Sequence, residues 1–203
     1  MSGCASGERL VALRRGFKTE ANEIARERRM ELGLSLTSRL DPWQLAHRVD
    51  IPVLALSELN GDAPGAVRRF QHVDAAEFSA VTVFDGSRRI LVCNDAHSLG
   101  RQASDVGHEL AHRLPLHEPS PALDHDKSRL WDPEAEEEAD WLAGAILVSD
   151  ETAVSIATRR VPSDIVAEHY GVSEPMMQFR LNVTGAHKRA ARRPAGLRSR
   201  ESR

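Results

Sequence analysis

Residues 99–114 constrain the fold of this chain more than any other part of the sequence. Their apolar side chains recur at the spacing of one helix face and stop at Pro115, which cannot continue a helix. The apolar positions are Leu99, Ala103, Val106, Leu110 and Leu114. The segment contains His108-Glu109-Leu110-Ala111-His112, and residues four apart lie on the same side of a helix. Both imidazoles can therefore reach a single metal ion.

The residue types of this motif suit hydrolysis assisted by a metal ion. Neutral imidazoles hold zinc and leave it Lewis acidic, while a nearby carboxylate takes a proton from the water that attacks a carbonyl. Glu109 follows His108 directly, roughly 100° further around the helix, and so flanks the histidine pair. We therefore predict His108 and His112 as ligands of Zn²⁺, with Mn²⁺ as the alternative metal, and Glu109 as the general base.

A third ligand is expected from the next helix, which begins at Pro133 with Asp132 as its N-cap. Its first turns are dense in glutamate: Glu134, Glu136, Glu137 and Glu138. Some of these belong only to a solvated face at a helix N-terminus, where the dipole favours negative charge. Glu136 and Asp140 are four residues apart, so Glu136 can bind the metal while Asp140 accepts a hydrogen bond from a ligand histidine. Glu138 is the alternative third ligand.

The other patterns predict an α+β fold, in which a small antiparallel or mixed sheet packs on helices. Helices are expected over residues 17–32, mostly exposed, and from Pro42, with Asp41 as N-cap. A strand is expected over residues 51–56, and a hairpin over residues 78–93 around Asp85-Gly86. Residues 116–132 read as a long loop. Residues 163–183 predict two short helices around Gly171-Val172-Ser173, similar to a helix-turn-helix.

The chain divides into four predicted parts. Residues 1–40 form an N-terminal helical segment, 41–150 a zinc peptidase core, 151–186 a C-terminal helical segment similar to a helix-turn-helix, and 187–203 a basic, disordered tail. The tail holds one Lys, six Arg and one Glu, for a charge of +6, which against a total of −3 leaves −9 on the rest. The body is therefore too acidic for general DNA binding.

The cysteines and the N-terminal sequence indicate the compartment. Cys4 and Cys93 have no CxxC spacing, so neither a disulfide framework nor a thiolate metal site is expected. The sequence has no apolar h-region and no apolar run long enough to cross a bilayer. We therefore expect a cytoplasmic protein with no membrane partner.

Two motifs resemble the ImmA/IrrE family of metallopeptidases: GHELAH at residues 107–112 and EEEADWLAGAILV at residues 136–148. As in that family, a strand ending in an asparagine, here Asn94, precedes the motif helix. The resemblance spans roughly residues 43–183. The sequence departs from the family at residues 148–150, where proline is usual, and at residues 112–115, which are usually more apolar.

The resemblance implies a thermolysin-like minimal zincin core, with Glu136 as the third ligand and Asp140 as the partner of a ligand histidine. It also implies cleavage of a protein partner, typically a transcriptional repressor of the helix-turn-helix type in stress or mobile-element regulation. The departures spare the ligands, but Arg113 and Pro115 alter the edge of the cleft. Two other functions stay open. The protein could bind and sequester a repressor without hydrolysis, or bind DNA through its C-terminal segment, although Glu174 near the start of the second helix disfavours DNA.

The group that stabilises the oxyanion stays unassigned. His117, His125, Tyr170 and Arg180 each carry a suitable donor. A single tyrosine is more often a packed residue whose hydroxyl finds a partner elsewhere. The two histidines fall in the long loop, and either is expected to be an ordinary loop residue.

Overall fold

The chain is mainly helical, with one small sheet between its second and fourth helices. A computed structural model describes residues 13–86, 88–114 and 132–192. Within them the helices are α1 (Phe17–Glu31), α2 (Pro42–Arg48), α3 (Pro64–Arg68), α4 (Leu99–Ala111), α5 (Pro133–Leu147), α6 (Asp150–Arg159), α7 (Ser163–Tyr170), α8 (Glu174–Val183) and α9 (Ala186–Arg192). The strands are β1 (Val53–Ala55), β2 (Ala80–Asp85) and β3 (Arg88–Cys93). This α+β architecture confirms the predicted fold class.

The sheet has the strand order β1-β3-β2 in the described part of the chain. β1 runs parallel to β3, and β2 pairs antiparallel with β3 as the predicted hairpin. Gly86 in the connecting turn has a φ of 60°, which glycine adopts without strain. The strand predicted over residues 51–56 is shorter, because Leu56 already begins a 3₁₀ turn. Because β3 lies between the other two strands, β2 lies at an outer edge of the described sheet.

The metal-motif helix α4 lies against both the sheet and α5. Ser98 caps it by accepting a hydrogen bond from the backbone N–H of Arg101. The predicted stripe is buried at Ala103, Val106, Leu110 and Leu114, whereas Leu99, at the first position of the helix, is 77% exposed. A Cβ at Gly107 would lie 2.8 Å from Cδ1 of Leu147, so glycine at this position allows α4 and α5 to approach closely. The helix ends at Ala111, three residues before the predicted end.

Helix α1, predicted to be mostly exposed, buries one face. Phe17, Ala21, Ala25 and Arg29 recur every four residues and are buried in a row that faces α5. Met30, an apolar residue of this helix, is 66% exposed. The row ends in an arginine, which a hydrophobic pattern does not include, so the pattern did not predict the full length of the buried face.

Two fully buried arginines hold the C-terminal end of α5. Arg29 donates to the backbone carbonyls of Ile146 and Leu147 at 2.8 and 3.1 Å. Arg180 donates through Nε to the carbonyl of Val148 at 2.9 Å and through Nη2 to Asp150. The last carbonyls of a helix lack partners within the helix and carry partial negative charge, so guanidinium groups suit this position.

The C-terminal helices confirm the two short helices predicted around Gly171-Val172-Ser173. Gly171 ends α7 with a φ of 67°, and Ser173 caps α8 by accepting from the N–H of Met176. Buried Ala186 and Ala190 lie on α9, which packs on α6. The disordered basic tail was predicted to begin at residue 187, but residues 187–192 belong to α9. The rest of this tail, residues 193–203, lies outside the described residues. Most of the loop predicted over residues 116–132 also lies outside them. Among the described helices, none combines the length and apolar character that a bilayer span requires.

Candidate metal centre

Helices α4 and α5 bring together two histidines and one glutamate. His108 and His112 come from the last turn and the C-cap of α4, and Glu136 comes from the first turns of α5. Asp132 fixes the start of α5 by accepting hydrogen bonds from the N–H groups of Glu134 and Ala135. One ligand atom from each of His108, His112 and Glu136 lies within 4.8 Å of the other two.

The distances among these atoms fit a tetrahedral metal site. Nε2 of His112 lies 3.0 Å from Nε2 of His108, and Oε2 of Glu136 lies 3.2 and 3.4 Å from the two nitrogens. Ligands about 2.0–2.1 Å from a tetrahedral ion are separated from one another by about 3.3–3.4 Å. Two nitrogens and a carboxylate oxygen are also a donor set that zinc accepts, and three protein ligands leave one position open.

Asp140 fixes the orientation of His108. Nδ1 of His108 lies 2.7 Å from Oδ1 of Asp140. An ionised carboxylate can only accept, so Nδ1 carries the proton and the lone pair of Nε2 is turned toward the ligand cluster. Burial acts to lower the pKa of His108, but the hydrogen bond and charge of Asp140, with smaller contributions from Glu136 and Glu109, raise it above its ordinary value.

Glu109 is buried beside the cluster and bound to the edge strand. Its side chain is 4% exposed. Its Oε2 accepts a hydrogen bond of 2.7 Å from Oγ1 of Thr82 on β2. Sequence reasoning missed Thr82, because a threonine in a strand is ordinary and its partner lies 27 residues away. The only available signal was the alternation of β2, which groups Thr82 with Ala80 and Phe84 on one face but does not show which face packs on α4.

Glu138, the alternative third ligand, is turned away from this cluster. The residue is 6% exposed, and its Oε1 lies 3.4 Å from both the backbone nitrogen and Nε of Arg14. It lies two residues after Glu136, about 200° further around the helix. Among the described residues, the histidine pair is joined by Glu136 and not by Glu138.

Two oxyanion candidates are engaged elsewhere. Tyr170 donates its hydroxyl proton to the carbonyl of Thr37 at 3.0 Å, and Arg180 is fully buried at the end of α5. Both therefore have structural partners. His117 and His125 lie outside the described residues.

The family model of Peptidase_M78, described as the IrrE N-terminal-like domain, matches residues 39–182. The chain belongs to this family. Membership confirms the resemblance seen in the two motifs and indicates a metal-dependent peptidase. No curated protein and no solved structure matches the chain.

Proposed function

We propose that the protein is a zinc-dependent endopeptidase that cleaves a partner transcriptional repressor of the helix-turn-helix type. The observation that carries the proposal is the triangle of His108, His112 and Glu136 beside a buried Glu109. His108, His112 and Glu136 would hold the metal ion. When bound, a zinc ion there would polarise a water molecule and a peptide carbonyl.

Glu109 acts as the general base in this proposal. Its carboxylate removes a proton from water as that water attacks the peptide carbonyl, and then delivers a proton to the leaving amine. Thr82 holds one carboxylate oxygen of Glu109, which leaves the other oxygen to take the proton. Burial of Glu109 excludes bulk water from the proton transfer and strengthens these electrostatic interactions.

The outer edge of β2 suits an extended peptide. In the described part of the chain, β2 has β3 as its hydrogen-bonded neighbour on one side, and the other side has no strand. An exposed strand edge offers backbone N–H and C=O groups that pair with an added strand. Because Thr82 of β2 bonds Glu109, a peptide lying along this edge would pass the general base. A protein substrate cut in an extended segment fits this geometry.

The C-terminal helices give little support to direct DNA binding. Met177, Arg180 and Leu181 of α8 are buried, so the arginine of this helix is not available to phosphates or bases. Glu174 is exposed at its N-terminal end. A carboxylate there repels the DNA backbone. A protein partner therefore remains our proposal for what this chain binds.

Proteolysis of a helix-turn-helix repressor, sought among the genes that neighbour this one, tests the proposal. The zinc-loaded protein is incubated with the purified repressor, and products are identified by mass spectrometry. We expect cleavage by the wild type and none by Glu109→Gln, which should bind zinc as tightly as the wild type because Glu109 is not a ligand. Stable complex formation without cleavage would instead support a regulator that sequesters the repressor. Equal cleavage by both proteins would contradict the role of Glu109.

A further inference from the structure

An exposed phenylalanine at the end of β2 lies against two arginines. Phe84 is 49% exposed. The guanidinium carbon of Arg89 lies 5.8 Å from the centroid of its ring, and that of Arg113 lies 5.5 Å from it. Arg89 is the cross-strand neighbour of Phe84 on β3, and Arg113 follows the ligand His112. We call these three residues the arginine-phenylalanine cluster.

The cluster continues the contact that holds Glu109. Phe84 follows Thr82 by two residues, so both side chains lie on the same face of β2, about 7 Å apart along the strand. Arg113 follows Glu109 by four residues, about 6 Å along the helix direction. Thr82 bonds Glu109, and Phe84 contacts Arg113. The cluster therefore lies next to the contact between Thr82 and Glu109, farther along β2.

The positive charge of Arg89 is not neutralised by any carboxylate that the structure describes. The contact of Arg89 with Phe84 is a cation–π contact, and Arg89 forms no ion pair with the carboxylates that the structure describes. A ring face stabilises a cation but does not neutralise it. A carboxylate beside Arg89 would pair with this charge. The charge and shape of the cluster thus favour a carboxylate next to an apolar surface.

We propose that the arginine-phenylalanine cluster is a specificity subsite that selects an aspartate or glutamate two residues from the cleaved bond. Two residues of an extended peptide span about 7 Å, which matches the separation of Thr82 and Phe84 along β2. A substrate side chain opposite Phe84 lies on the same face of the sheet as Phe84, and so beside Arg89 and Arg113. This inference rests on the proposed function and names the substrate sequence that it requires.

Binding to the inactive protein tests the subsite without relying on hydrolysis. Zinc-loaded, full-length Glu109→Gln is titrated with two pools of short blocked peptides that are otherwise uncharged. One pool has a single aspartate and the other an asparagine of the same shape. Binding is followed by the NMR signal of the Nε–Hε group of Arg89, assigned by its absence in Arg89→Met. We expect the aspartate pool to bind about fivefold more tightly at low salt and to lose this preference at high salt.

A charge reversal and a neighbouring control separate the cluster from general surface charge. Arg89→Glu, in the same Glu109→Gln protein, should abolish or reverse the preference for aspartate. Arg88→Glu changes the same charge one residue earlier, where the side chain points to the opposite face of the sheet, and should keep the preference. For these variants binding is followed by fluorescence of labelled peptides, and unchanged zinc affinity shows that each is folded. Equal binding of the two pools, or an equal loss in both variants, would overturn the proposal.

The wild-type protein and the same pools distinguish this proposal from the proposed function. Cleavage with an aspartate two residues from the cut bond supports both. Cleavage of the two pools at equal rates leaves the peptidase function standing and overturns the subsite. An aspartate preference in binding with no cleavage of any peptide or of the repressor supports the subsite and contradicts the hydrolytic function.

Discussion

Replacing Arg29 by methionine is expected to lower the free energy of unfolding by about 3 kcal/mol. The Arg29 guanidinium is fully buried and donates three hydrogen bonds to backbone carbonyls, those of Ser38, Ile146 and Leu147, at 2.6, 2.8 and 3.1 Å. Methionine has a similar length and keeps the apolar contacts, so the substitution leaves little cavity. It removes the two hydrogen bonds to the end of the helix that carries Glu136, and the third hydrogen bond to Ser38.

The magnitude follows from two opposing contributions. Each buried carbonyl left without a donor costs about 1–3 kcal/mol, so the carbonyls of Ile146 and Leu147 together cost about 2–6 kcal/mol, and the part-buried carbonyl of Ser38 adds less. In the other direction, methionine avoids the cost of burying a charge, and that cost is visible in the pKa of Arg29, which burial lowers. We therefore expect the low end of the range. Zinc affinity should change little, because the ligand on α5 lies more than two turns before the carbonyls that Arg29 caps.

Urea unfolding of chelator-treated protein, followed by far-ultraviolet circular dichroism, measures this loss. Arg26→Met is the matched control, because Arg26 lies on the same helix and forms an exposed ion pair with Glu151 at 2.8 Å. An exposed pair contributes about 0–1 kcal/mol. Equal destabilisation by Arg29→Met and Arg26→Met would contradict this prediction.

Three further predictions concern pH, thiol reactivity and the general base. The carboxylate of Asp140 is the main group that raises the pKa of His108, and Asp140→Asn removes it. A raised pKa means that protonated His108 stabilises the metal-free fold. This stabilisation is fully present below pH 6.5, the ordinary pKa of histidine, and is lost as the pH rises through the raised pKa. The urea-measured loss on Asp140→Asn should therefore be larger in acid than at alkaline pH, and an equal loss would contradict this. Burial raises the pKa of Cys93 to about 12, so its thiol is unreactive at neutral pH. In the Cys4→Ser variant, a disulfide reagent at neutral pH should therefore label only unfolded protein. Rapid labelling of the native protein would contradict this prediction. Thr82→Val should lower kcat about tenfold at unchanged KM, and Thr82→Ser should restore it; failure of serine to rescue would show that the hydroxyl does not position Glu109.

Signals between neighbouring residues predicted the two helices that carry His108, His112 and Glu136. The three- and four-residue spacing of apolar side chains located α4, and Pro133 after Asp132 located the start of α5. The turn chemistry of Asp85-Gly86 located the hairpin. These signals work because capping and periodicity involve residues within a few positions of one another. The spacing of Glu136 and Asp140 also predicted which carboxylate would lie beside the histidines.

Contacts between distant residues could not be predicted in this way. Arg29 bonds carbonyls 117 and 118 residues away, and backbone carbonyls carry no sequence identity. The pairing of Thr82 with Glu109 depends on which face of β2 packs on α4, and alternation alone does not decide that. The burial of one face of α1 was missed for the same reason, since its row includes an arginine whose partners lie on other elements.

The central claim is that His108, His112 and Glu136 together bind the catalytic metal. Competition of zinc between the protein and a chromogenic chelator tests it most directly, with Glu136→Gln and Glu138→Gln compared with the wild type. The account predicts one zinc per chain, an affinity at least about 100-fold weaker in Glu136→Gln, and wild-type affinity in Glu138→Gln. Wild-type affinity in Glu136→Gln, or a larger loss in Glu138→Gln, would contradict it.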